Sequence, residues 1–129
     1  MSGTLYLIPC PISSSAPAET IPQRTLEVAR SLDYFLVEAA RTARGTLKSM
    51  GHPQPISTLT IEEIGHDPEA EKIGAWLAPV VEGRSAGIIS ESGCPGIADP
   101  GAQIVQRAHE LGIRVVPLTG PSSLLLTLM

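Results

Sequence analysis

The stretch AGIISESGCPGIADPG, Ala86–Gly101, runs from four apolar residues straight into a segment crowded with glycine and proline. An apolar run without polar alternation is a strand buried on both faces, as in a parallel sheet covered by helices. In the twelve positions from Ser90 to Gly101, three glycines and two prolines follow. Glycine removes side-chain bulk and permits positive φ, while proline fixes φ and removes a donor, so the loop is shaped to hold one path. Such a path is costly unless something docks against it.

Outward from this stretch the same unit repeats. Thr4–Ile8 reads as a short buried strand, stopped by Pro9-Cys10-Pro11 and the serines at 13–15. Thr20-Ile21-Pro22-Gln23 has the pattern of a capping box with proline in the first helical turn, and Leu26, Ala29 and Leu32 follow at helical spacing. Tyr34–Val37 is a second strand. Ala40, Ala43, Leu47 and Met50 give the next helix one apolar face, with Gly51 placed to end it. Ser57–Ile64 is β-branched and reads as a third strand.

Ile73, Trp76, Leu77, Val80 and Val81 trace a helical stripe in which Pro79 is expected to kink or end the helix. After the strand Ala86–Ile89 and its loop, a helix over about 102–111 precedes a Gly112 cap and a strand over 113–118. The order β-α-β-α-β-α-β-α-β predicts an α/β fold, a mostly parallel five-stranded sheet with helices on both faces, in one domain over 1–129. Ligands of such sheets bind beyond the carboxyl ends of the strands, where strand order reverses. The loops after Ile8, Ile89 and Leu118 are all expected at that edge.

Composition narrows the function. The 129 residues are 43% hydrophobic, enough for a core, but only 3% aromatic, which leaves few rings for base stacking. A net charge of −4 argues against a generally basic surface while leaving room for a local patch. Arg41, Arg44 and Lys48 form such a stripe on one helix; a solvated face is the ordinary reading, and phosphate contact the functional one. Cys10 and Cys94 lack the spacing of a zinc site or a disulfide framework. With no leader-like start and no membrane-length apolar run, a cytoplasmic protein without membrane contact is expected.

The loop after Ile89 lacks the P-loop spacing and its lysine, and the turn after Ile8 lacks the dinucleotide fingerprint. What remains is backbone offered at close approach around Ser92, Gly93 and Gly96, suited to a ligand with adenine, amino and carboxylate groups. Asp99, in Asp-Pro-Gly ahead of a helix, reads as a cap and turn before it reads as a base. Cys94 reads as a small turn residue before a nucleophile, and His52, His66, His109 and Trp76 read as structural.

The blocks SESGCPGIADPG and IRVVPLTGPSS, with TLYLIPCPI and LDYFLVEAARTARGTLKSMG, resemble the tetrapyrrole (corrin and porphyrin) methylase family. Within it, they are most similar to the bacterial enzymes that 2′-O-methylate a cytidine of small-subunit ribosomal RNA. The resemblance implies S-adenosyl-L-methionine as cofactor, bound between this domain and a second one, in a homodimer. The chain then corresponds to the N-terminal half of a two-domain methyltransferase, inactive in isolation. The almost wholly apolar run Leu124–Met129 fits a protein that continues, or an end that a partner covers.

Carried over by position, Ser92, Gly93, Cys94, Gly96, Ile97 and Ala98 contact the cofactor, Pro11 borders it, and Ser122 and Ser123 lie near its polar groups. Glu91, Glu38 and Arg41 are the candidate catalytic, substrate-side residues, Glu91 as base or orienter. There the sequence departs from the ribosomal RNA enzymes: Glu91 replaces a usual Asp, Ile12-Ser13-Ser14 an Ile-Gly-Asn turn, and Glu38-Ala39-Ala40-Arg41 an acidic-Asp-Thr-Arg segment. A tetrapyrrole or small-molecule acceptor, or a non-catalytic ligand-binding or dimerisation module, are the alternatives.

Overall fold

Strands β2 (Tyr34–Val37) and β4 (Ala86–Ile89) bury every residue, as their unbroken apolar sequences require. They form the middle of a sheet completed by β1 (Thr4–Ile8), β3 (Thr60–Glu63) and β5 (Arg114–Pro117). The computed structural model describes residues 2–9, 22–65, 68–89 and 100–118. Between the strands lie helices α1 (Gln23–Ser31), α2 (Ala40–Ser49), α3 (Ala70–Val81) and α4 (Pro100–Glu110). The sheet is five-stranded in the order β3-β2-β4-β1-β5, and every pair is parallel.

The chain first steps from β1 through β2 to β3 in one direction, then returns through β4 to β5 in the other. Because parallel crossovers are right-handed, reversing the direction moves the helices to the opposite face. The core accordingly divides in two. On one face Ile8, Phe35, Val37 and Ile89 pack with Leu26 and Ala29 of α1 and Ala43 and Leu47 of α2. On the other, Leu5, Leu36 and Ile88 pack with Ile73, Leu77 and Val80 of α3 and Ile104 and Ala108 of α4. Alternate residues of each strand serve the two layers, as the pleat demands.

Several local expectations shift. Pro22 precedes α1 instead of lying in its first turn; its carbonyl accepts the Leu26 N–H at 3.1 Å. Thr20 and Ile21 lie outside the described residues. The stretch expected as one strand over Ser57–Ile64 divides into a short 3₁₀ turn, Ile56–Thr58, and β3 from Thr60. Pro79 does not end α3, which runs two residues further. Proline's φ is already helical, and against the lost hydrogen bond and the crowding of its ring on the Ala75 carbonyl stands Val80, fully buried, which holds that last turn on the sheet. Val81 points outward, 42% exposed. The caps at Gly51 and Gly112 have φ of 78° and 75°, the left-handed conformation that ends a helix.

Candidate active site

The reversal of strand order falls beside β1, which lies between β4 and β5. Ile8 is level with Ile89 across the β1–β4 pair, and Leu7 with Pro117 across the β1–β5 pair. The Leu118 N–H donates to the Leu7 carbonyl at 3.0 Å, carrying the second ladder to the last described residue. The segments after Ile8, Ile89 and Leu118 therefore start from three neighbouring, level strand ends. Pro11, Glu91, Ser92, Gly93, Cys94, Gly96, Ile97, Ala98, Ser122 and Ser123, which belong to those segments, lie outside the described residues, as do Asp99 and His66.

Glu38 and Arg41 are placed. Val37 is level with Ile89, and the Glu38 N–H donates to the Ile89 carbonyl at 3.1 Å, so half-buried Glu38 leaves β2 alongside the end of β4. Arg41 is exposed in the first turn of α2. Both start from the edge at which the three segments leave the strands, Glu38 on the side of β4 away from β1.

A residue that sequence reasoning passed over completes this corner. A helix start leaves its first N–H groups without intrahelical acceptors, and Ala39, at the N-cap of α2, has no side chain to supply one. Glu63, at the end of β3, does so instead: its Oε1 accepts the Ala40 N–H at 2.8 Å. The β2–β3 register, with Val37 level with Glu63, brings that carboxylate to the helix start. It also sets a negative charge at the positive end of the helix dipole. The sequence signal was the pair Glu62-Glu63, which interrupts an otherwise β-branched strand.

His52 is structural. Its Nε2 lies 2.7 Å from the Leu32 carbonyl, its Nδ1 accepts the Gln54 N–H at 3.2 Å, and its ring meets Phe35 edge-on at 6.1 Å. Trp76, half-buried, packs on the α3–α4 layer, and His109 is exposed on α4. Among the described residues no helix is long and apolar enough to cross a membrane.

No family profile matches the chain. Curated relatives do, each named ribosomal RNA small subunit methyltransferase I. The protein from Escherichia coli is 38% identical over 120 residues, 92% of this chain and 39% of its own length. That from Leptospira biflexa is 31% identical over 95% of this chain and 48% of its own, and that from Vibrio cholerae 35% over 96% and 40%. The chain thus spans less than half the length of the relatives it matches. Over nearly its whole length it is similar to part of the small-subunit ribosomal RNA methyltransferase I proteins, members of the tetrapyrrole methylase family that its sequence motifs resemble.

Proposed function

We propose that this chain is the methyl-donor-binding, N-terminal part of an S-adenosyl-L-methionine-dependent methyltransferase acting on ribosomal RNA, and that the whole protein works as a cytoplasmic homodimer. The observation that carries the reading is the level juxtaposition of the ends of β4, β1 and β5 where strand order reverses. Sheets of this kind bind ligands at such a point. The three segments that leave it hold the glycine-rich and serine-rich motifs, and the relatives are named for methylation of ribosomal RNA.

The donor carries its own leaving group: the methyl group is bonded to a positive sulfonium, which departs as a neutral thioether without a metal. The protein's contribution is proximity and orientation. The backbone of Ser92, Gly93, Cys94, Gly96, Ile97 and Ala98 holds the donor, with Pro11 at its border and Ser122 and Ser123 near its polar groups. As the acceptor oxygen gains the methyl group it loses its proton, and a carboxylate receives it or orients the hydroxyl. Glu91 has this role, while Glu38 and Arg41 bound the acceptor side. Glu63 already occupies the start of α2, so an anionic part of the acceptor is directed elsewhere.

Calorimetric titration of S-adenosylhomocysteine into the full-length protein tests the reading. Binding is expected, and Gly93→Val should weaken it at least tenfold with the unfolding midpoint little changed. Undiminished affinity in that variant would remove the loop after β4 from the donor site.

A further inference from the structure

The segment from Ala39 to Ile61 contains no aspartate or glutamate, although the chain has thirteen such residues, and it holds three of the nine lysines and arginines, Arg41, Arg44 and Lys48. An acidic protein of net charge −4 therefore has one stretch that is purely basic. In the structure these cations share one exposed face of α2, and beside them opens a groove of about 520 Å³. Arg44, Gly45 and Lys48 form its helical wall, and His52, Gln54 and Ile56 line the facing loop. The ion pairs among the described residues are Arg84–Asp33 and Arg107–Glu110, so Arg44 and Lys48 face the groove without a carboxylate partner.

Two further features distinguish this groove from an ordinary solvated helix face. Gly45 sits mid-helix between the two cations, where glycine costs about 1 kcal/mol relative to alanine. A Cβ there would meet nothing within 4 Å among the described residues, so no packing among them explains it. Glycine instead lowers the wall and lets an outside group approach the backbone. The facing loop is also fixed in advance: His52 bonds both Leu32 and Gln54, and the Arg30 Nε donates to the Met50 carbonyl at 2.6 Å where α2 ends.

We infer that this groove binds the phosphate backbone of the RNA acceptor, beside the methyl-transfer crevice and outside it. The inference rests on the ribosomal RNA reading above. Arg44 and Lys48 lie one turn apart, about 6 Å along the helix axis, so they engage successive parts of a strand. Arg41 continues the stripe to the carboxyl edge of the sheet, where the acceptor must reach the donor. No Phe, Tyr or Trp lines the groove, so it holds backbone without stacking bases and fixes position, leaving sequence to be read elsewhere.

The test is a fluorescence-anisotropy titration of a labelled single-stranded fragment of small-subunit ribosomal RNA into the full-length protein and into Arg44→Gln/Lys48→Gln, at several salt concentrations. S-adenosylhomocysteine binding is measured in parallel as a check on folding and on the donor site. The variant should bind RNA at least tenfold more weakly and keep its donor affinity. Its log–log salt slope should be shallower by about 1.4, because two phosphates of a single strand are no longer neutralised. Equal RNA affinity and slope in both proteins would overturn the groove while leaving the acceptor reading intact. A wild-type protein that binds donor but no RNA would overturn both.

Discussion

Tyr34 shows how one buried polar group ties the sheet to its cover. Its hydroxyl donates to the Trp76 carbonyl in α3 at 2.5 Å, and the Arg84 guanidinium lies 4.7 Å from its ring centre. Burial foremost, then the Glu62 carboxylate, push the phenol up from 10.0 to about 12, against a smaller opposing pull from Arg84. A group whose folded pKa exceeds its unfolded one stabilises fully below the unfolded value, and the contribution fades as pH rises through the folded one. Wild-type stability in urea should thus fall from pH 10 towards 12. Tyr34→Phe should cost about 1 kcal/mol at neutral pH and flatten that alkaline decline. Parallel declines in the two proteins would separate Tyr34 from it.

Gly87 makes the complementary point about space. A Cβ there would lie 2.5 Å from Ile8 Cδ1 and 3.2 Å from both Leu32 and Phe35. Gly87→Ala should destabilise by about 1–3 kcal/mol through overpacking. Ile8→Val removes the atom in the way, so the double variant should be less destabilised than the two single changes summed, as equilibrium unfolding would show. Strict additivity would mean that the strain is taken up elsewhere.

At the level of elements, α2 depends on β3 for its start. Glu63→Ala should cost about 0.5–2 kcal/mol, the usual range for a lost cap, and speed amide exchange in the first turn of α2. Adding Ala39→Asp gives an acceptor to a neighbouring N–H of the first turn, at N2 or N3, and should offset part of the loss without rebuilding the Ala40 bond. Unchanged exchange of the Ala40 amide in Glu63→Ala would show that Glu63 stabilises the corner by its charge and packing and not through the Ala40 bond. This arrangement was not legible in the sequence, because it depends on which residue of β3 lies level with Val37. The elements themselves were legible, since apolar runs, helical stripes and glycine caps are local signals. The differences came where signals compete: of the two outcomes expected at Pro79, a kink or an end, the end did not occur, because Val80 is buried, and Ser57–Ile64 carried β-branching through a 3₁₀ turn into a shorter strand.

For the whole molecule, strand alternation indicated a mostly parallel sheet, which the structure shows to be parallel at every pair, but not its order, which depends on pairings between distant parts of the chain. The carboxyl edge of the sheet as the place for a ligand was expected from fold class alone, whereas the level ends of β4, β1 and β5 required the structure. The basic stripe was visible as spacing. That it borders a fixed groove with a glycine wall was not, because the facing loop enters only in three dimensions.

The position of β1 also bears on how the protein is made. The first of these strands to leave the ribosome pairs only with β4 and β5, whereas β2 and β3, neighbours in sequence, pair directly with each other. Until synthesis has passed Ile89, residues Thr4–Ile8 have neither of their partners. The α2-bearing half can condense early, while nascent β1 stays an open edge, available to any other extended chain, until β4 arrives to close it.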